Sequence, residues 1–497
     1  MKGKTMFIIQ TAVRRWLPFA ATLALAACTV GPDYVRPTVE VPPVFKEMSS
    51  WKVAQPRDHV SRGKWWEIFN DPQLNILEEQ VNVSNQNLAV AEAQFRQAQA
   101  LVQVARAGYF PTVTAGASAS RARRPVTTTS GSTVATTTSD YTLPLDVTWE
   151  VDIWGRVRRS VEAGRASAEA SAADLEAVRL SIQAVLAQNY LQLRTLDADK
   201  QQLDTTVAYY RRSLELTQNR YASGVVSRSD VLLAETLLKT TEAQAIDVGV
   251  QRAQLEHAIA LLLGRPASSF ALAFAPLTAV PPDIPAALPS QLLERRPDIA
   301  AAERRVAAAN AQIGFAEAAY YPTISLSGAV GFEASDLAKW LDWPSRFWSL
   351  GASVSETLFE GGLRGAQTEQ ARAAYDATVA TYRQTVLTGF QEVEDNLSTL
   401  RILEQEARVQ EEAVSAARRT REIVTNQYKA GIVSYLEVIV AQAATLNNER
   451  TAIDIAGRRL SASVLLVKAL GGGWHAASLT TDETLDDKGT PRQDVAR

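Results

Sequence analysis

The chain offers little to an enzyme. Among 497 residues there is one cysteine, Cys28, and three histidines, His59, His257 and His475. That inventory leaves no disulfide framework, no Cys-rich or Cys/His zinc site and little for histidine-based acid–base work. Carboxylates are plentiful, but runs such as Glu404, Glu406, Glu411 and Glu412 fit a solvated helix face far better than a catalytic pair. The formal net charge of −3 excludes the basic field that holds nucleic acid.

The single thiol sits where one defined reaction needs it. Leu25-Ala26-Ala27-Cys28 resembles a bacterial lipobox: small residues where a peptidase must fit, then a thiol to be acylated. Lys2, Lys4, Arg14 and Arg15 precede the apolar stretch Trp16 to Ala27, which is too short to span a bilayer and correct for a signal-peptide core. Residues 1–27 therefore read as a signal peptide and Cys28 as the lipid-bearing first residue of the mature protein. Thr29 follows instead of the Asp associated with inner-membrane retention, so the outer membrane is the expected address. One lipid anchor gives modest membrane affinity, and further membrane contact is expected.

The chain repeats itself. Asn219-Arg-Tyr221-Ala-Ser-Gly224-Val-Val-Ser227-Arg-Ser-Asp230 matches Asn426-Gln-Tyr428-Lys-Ala-Gly431-Ile-Val-Ser434-Tyr-Leu-Glu437 at an offset of 207 residues, and Pro111-Thr112 matches Pro322-Thr323 at an offset of 211. Two copies of this size are too long for solenoid units and read as an internal duplication. Each has the order helix, two strands, long helix, tight turn, helix.

Apolar positions spaced three, four or seven apart predict a long helix from about Arg156 to Tyr221, with Leu175, Val178, Ile182, Val185, Leu193 and Leu196 on its packed face. Val379, Tyr382, Val386, Phe390, Val393 and Leu397 mark its equivalent. At 1.5 Å per residue each spans roughly 95 Å. Shorter helices, about 73–108 with 228–263 and about 292–319 with 434–470, are expected to stack end to end beside the long ones. Gly224 and Gly431 fit the left-handed position that ends a helix. Ser227 to Asp230 and Ser434 to Glu437 read as capping boxes opening the next.

Strand signals differ in kind. Val113, Ala115, Ala117 and Ala119 alternate with Thr and Ser; so do Tyr141, Leu143, Leu145, Val147 and Trp149 with polar partners. Ile324, Leu326 and Val330, then Trp348, Leu350, Ala352 and Val354, repeat the pattern. Runs of about ten residues with one apolar and one polar face suit a transmembrane β-barrel. Four strands cannot close a barrel, and open edges are not tolerated in lipid. The chain must oligomerise if these strands span, and small inward residues favour three copies over two.

The segment Cys28-Thr-Val-Gly-Pro-Asp-Tyr-Val-Arg-Pro37, the run Trp65-Trp66…Phe69-Asn-Asp71-Pro72-Gln-Leu74, Asp152-Ile-Trp-Gly155-Arg156, Leu358-Phe-Glu-Gly361-Gly362 and both glycine-centred turns together resemble the TolC family. More narrowly they resemble its lipoprotein branch, the outer-membrane factors of RND-type tripartite drug efflux. The resemblance covers nearly the whole mature chain. It implies an α+β membrane protein: a homotrimer with a twelve-stranded β-barrel, four strands per chain, continued by a long periplasmic α-helical barrel with a mixed equatorial region. Residues 28–72 form the lipidated N-terminal part of that region, 73–263 repeat one (strand pair 112–151, tip hairpin 221–230), 264–290 an equatorial linker, 291–471 repeat two (strand pair 323–358, tip hairpin 428–437) and 472–497 a polar tail. The implied function is passive conduction of drugs or other toxic compounds from an inner-membrane RND pump and a periplasmic adaptor to the exterior. The chain needs no cofactor beyond the lipid at Cys28 and is not an enzyme. A related channel for protein secretion or metal export is the alternative, with a pore-less anchored coiled-coil scaffold behind it. No Walker-type loop is present to power transport.

The same resemblance assigns adaptor docking to the exposed turns, Gly224, Val225 and Val226 with Gly431, Ile432 and Val433. Candidates for a periplasmic gate are Arg228, Asp230, Tyr435 and Glu437, at the starts of the helices after the turns. Much of the family carries a further carboxylate where this chain has Val440, which shifts weight to Glu437, Tyr435 and Arg228.

Overall fold

The computed structural model describes residues 29–47, 64–127, 133–282, 284 and 295–473. Cys28 and the signal segment, most of the 264–290 linker's far end and the tail from 474 lie outside them. The chain falls into two compact units, one built from 1–37, 96–170 and 302–382, the other from 38–95, 171–301 and 383–497. Each draws on both copies of the repeat.

Duplication is visible in the helix lengths. Helix α1 (Pro72–Ser84) is followed by α2 (Gln86–Ala107) of 22 residues, α3 (Arg156–Ala222) of 67 and α4 (Arg228–Leu262) of 35. The second copy gives α5 (Pro297–Ala318) of 22, α6 (Leu363–Lys429) of 67 and α7 (Tyr435–Ala469) of 35. Among the described residues no helix is long and apolar enough to cross a membrane.

The first unit holds the strands β1 (Thr112–Ala115), β2 (Ser118–Thr127), β3 (Thr133–Glu150), β4 (Thr323–Ala334) and β5 (Arg346–Ser355) in one antiparallel sheet. β1 and β2 both pair with β3 in a single unbroken register, Ala115 opposite Leu145 and Ser118 opposite Thr142. The interruption between them has a simple cause. Gly116 donates to the Pro144 carbonyl at 3.0 Å, but Pro144 has no N–H to return. β4 then pairs β3, and β5 pairs β4. The register lines up Val113, Val147, Gly328 and Leu350 in one row, and Leu145, Val330 and Trp348 in the next. One face is thus apolar from edge to edge, while Thr148, Ser327 and Gly351 occupy the other.

That apolar face is bare in the single chain: Trp348 is 75% and Leu350 80% exposed. β1–β2 and β5 are free edges, pairing on one side only.

At the roots of the sheet the glycine motifs act as helix starts. The Asp152 carboxylate accepts from Val157 N and Arg158 N, each at 2.9 Å, and so caps α3. Trp154 stacks on Tyr321 at 4.9 Å and donates to the Pro322 carbonyl at 2.8 Å. In the second copy the Glu360 carboxylate accepts from Arg364 N at 2.9 Å beside Gly361 and Gly362.

The second unit contains the helix junctions. The segment expected as one helix over 73–108 breaks at Asn85, which is extended and buried. Its amide donates to the Leu262 carbonyl at 2.7 Å, and its Oδ1 accepts from Leu88 N at 3.0 Å. One side chain thus closes the end of α4 and caps α2. In the second copy Arg296 does the joining, donating to the Ala469 carbonyl at 3.2 Å and to Glu392 at 2.6 Å. The shorter helices therefore meet end to end at both junctions. Pro297 takes the first position of α5; the expected start near 292 lies outside the described residues.

Candidate functional site

The two turns that join long and short helices lie together in the second unit. α3 ends in a Schellman arrangement: Gly224 has φ +72°, its N–H reaches the Tyr221 carbonyl at 2.9 Å, and Val225 N–H reaches the Arg220 carbonyl at 2.9 Å. α6 ends identically at Gly431, φ +76°, with Ile432 N–H on the Gln427 carbonyl at 2.9 Å. A Cβ at either glycine would meet nothing within 4 Å. The glycines are there for backbone conformation, and the space around them is open.

The residues after the glycines divide by direction. Val225 and Ile432 stand out, 61% and 71% exposed. Val226 and Val433 turn in and pack on a cluster of Ala234, Tyr428, Tyr435 and Val438. Each turn thus presents one apolar side chain outward and uses the next as its own packing.

Both helix starts are capped by their acids. The Asp230 carboxylate accepts from Ser227 N at 3.0 Å and Ser227 Oγ at 2.9 Å, and Asp230 N donates back to Ser227 Oγ at 3.3 Å. Glu437 accepts from Ser434 N and Oγ, both at 3.3 Å. Arg228 is exposed and has no ion-pair partner among the described residues. Tyr435, its equivalent in the second copy, is buried instead. Its hydroxyl is 3.1 Å from Ser213 Oγ, its ring lies 5.2 Å from that of Tyr428, and burial raises its pKa. Val440 is 61% exposed. The structure therefore brings Arg228, Asp230, Glu437 and Val440 to the accessible side of the helix starts and places Tyr435 in the packing beneath.

One residue at the turns had no sequence signal of its own. Arg220 donates to the Tyr428 carbonyl at 2.8 Å and covers the Tyr428 ring at 4.4 Å. It ties the first turn to the second. Position 220 is one of several where the copies differ, Arg against Gln427, and nothing else in the sequence singles it out.

In the first unit, the residues just after Cys28 are held firmly. Arg159, 4% exposed, donates to the Val30 carbonyl at 3.1 Å, the Gly31 carbonyl at 3.1 Å and the Asp33 carboxylate at 3.2 Å. Gly31 has φ +95°, and a Cβ there would lie 2.3 Å from Gly314 Cα. The Tyr34 hydroxyl donates to Glu303. No group of His, Cys, Asp and Glu among the described residues is arranged to hold a metal.

Residues 77–265 and 288–472 match the sequence model of the outer membrane efflux protein family. The pyoverdine export outer membrane protein OpmQ of Pseudomonas aeruginosa is 29% identical over 92% of this chain and 96% of that protein. The toluene efflux pump outer membrane protein TtgI of Pseudomonas putida is 30% identical over 93% and 98%. Among solved structures, the outer-membrane channel OprN superposes with a TM-score of 0.84 at 32% identity, covering 90% of this chain and all of that one. By the family match and these relatives, on a fold they share, the chain belongs to the outer membrane efflux protein family.

Proposed function

We propose that the protein is the outer-membrane channel of a tripartite efflux system. In this reading three copies close a twelve-stranded barrel, and their long helices enclose a periplasmic duct. An inner-membrane RND pump and a periplasmic adaptor deliver drugs or other toxic compounds, which leave passively. The sheet carries the argument. Its apolar residues align by register into one bare face, and both edges have unpaired backbone groups, an arrangement that lipid tolerates only when neighbouring copies complete it. The family's members are channels, and the described residues form no constellation that suggests catalysis.

Lipid attachment at Cys28 would place the acyl chains beside the roots of the sheet, because Arg159 and Tyr34 hold residues 30–34 there. The outward Val225 and Ile432 would meet the adaptor, and Arg228, Asp230 and Glu437 would line the closed duct end, with Val440 next to them. OpmQ and TtgI bear the names of chemically unlike cargoes, pyoverdine and toluene. This supports a duct that leaves selection to the pump. Purified protein in a planar bilayer should give stepwise conductance and run as a trimer. A deletion strain should regain drug tolerance only when the gene and a cognate pump are both present. Trimers without conductance would favour the scaffold reading.

A further inference from the structure

Inside the second unit, α3, α6 and α7 line a half-open cavity of about 340 Å³. Tyr209, Tyr210, Arg418, Arg421, Gln442 and Glu449 line it. An outer groove of about 680 Å³ adjoins it through Tyr209, Arg418 and Arg421. The one acid of the inner cavity is already taken: Glu449 accepts from Arg418 at 2.6 Å and also from Gln202.

Three other groups are left over. Gln442 is 2% exposed, and neither its Nε2 nor its Oε1 has a hydrogen-bond partner among the described residues. Tyr210 is 2% exposed, and its hydroxyl is also unpartnered. Arg421 lies 5.7 Å from the centre of the Tyr209 ring and makes no ion pair among the described residues. Buried polar groups in folded proteins are nearly always satisfied, and a half-buried guanidinium with no ion-pair partner is open to an anion. Water could satisfy the amide and the phenol, while the free guanidinium beside them favours an anion in the same place.

We propose that this cavity is a binding site for a small oxyanion, a carboxylate or phosphate group, held by Arg421 and completed by the Gln442 and Tyr210 donors. The guanidinium presents two parallel N–H groups that match two oxygens of one anion. Burial raises the pKa of Tyr210, which keeps the phenol a donor, and Gln442 Oε1 is free to accept from a hydroxyl on the ligand. Because Tyr209 and Tyr210 belong to the first hairpin and Arg421 and Gln442 to the second, a bound anion bridges the two.

Isothermal titration of the detergent-purified full chain tests this, with inorganic phosphate and acetate as separate probes at constant ionic strength. One saturable site per chain is expected for at least one probe, and the preferred probe tells a phosphate from a carboxylate ligand. Arg421→Gln should weaken binding tenfold or more, and Gln442→Leu, which removes both amide atoms, threefold or more. Arg419→Gln, which changes only the outer groove, should bind as wild type does. If Arg421→Gln fails to assemble, Gln442→Leu and Arg419→Gln carry the comparison. No saturable heat with either probe, or affinities within twofold across the variants that assemble, overturns the proposal. The readout does not involve conductance, so it is independent of the channel reading.

Discussion

Pro144 of β3 stands opposite Gly331 of β4, a proline paired with a glycine within the sheet. Proline withholds a hydrogen-bond donor in the interior of a sheet, where it is rarely found. Glycine lets the strands close up: a Cβ at 331 would lie 2.2 Å from the Leu143 carbonyl oxygen.

Gly331→Val should therefore break the β3–β4 ladder, since backbone on the facing strand cannot step aside. We expect a tenfold or greater loss of SDS-resistant trimer. Gly328→Ala, whose new methyl crowds the flexible Leu350 side chain at 3.2 Å and meets the Ser349 carbonyl oxygen at an ordinary 3.8 Å, should assemble nearly normally. Equal yields for the two would show that β3 and β4 do not pair this closely.

Glu78 is fully buried in α1, and neither carboxylate oxygen has a partner among the described residues. Burial pushes its pKa well above the ordinary glutamate range. The folded state thus holds the proton more tightly than the unfolded chain. Stability tied to this group is present in acid, and is lost as pH rises from the unfolded pKa through the folded one. Glu78→Gln should melt higher than wild type at pH 8, with the gap closing towards pH 4. A pH-independent gap would mean that Glu78 finds a partner in the assembled protein.

Cys28→Ser should abolish incorporation of labelled palmitate and leave the signal segment uncleaved. Retained label would place the lipid elsewhere. Conductance should persist, because a closed barrel holds itself in the membrane.

Docking at the turns is best tested at the outward side chains. Bulky residues at Gly224 or Gly431 would strain a left-handed backbone by about 1–2 kcal/mol each and confuse folding with binding. Val225→Ser with Ile432→Ser alters only exposed positions, where effects on stability stay within about 0.5 kcal/mol. Cross-linking to the adaptor should fall severalfold while trimers form as before. Unchanged cross-linking would move the docking surface off the turns.

At the duct end, Glu437→Ala or Arg228→Ala should raise single-channel conductance. Arg228 caps nothing, so its loss should leave the melting temperature unmoved. Glu437→Ala should cost about 0.5–2 kcal/mol for the cap it removes. A change in stability without one in conductance would restrict Glu437 to capping.

The fold class was legible because its signals are local. Heptad-like spacing, glycine turns and strand alternation need only a few neighbouring residues, and the duplication shows each of them twice. Features set by distant partners were not legible. The helix break at Asn85 depends on a carbonyl at Leu262, 177 residues away. Arg220 reads as ordinary helix surface until Tyr428 is brought beneath it. Pro144 was plain in the sequence, but only the register reveals the glycines, Gly116 and Gly331, that flank it.

The two spatial units cut across the two sequence copies, and this constrains the ancestry of the molecule. A single copy holds only part of each unit, so a half-length forebear would need a second copy of itself to complete either one. Fusion made that partnership permanent and released the halves from identity. Arg228 and Tyr435 record the release: they occupy the same place in the two copies, yet one now faces solvent and the other has become core. A ring of equivalent half-chains was thereby turned into one whose alternate members can specialise.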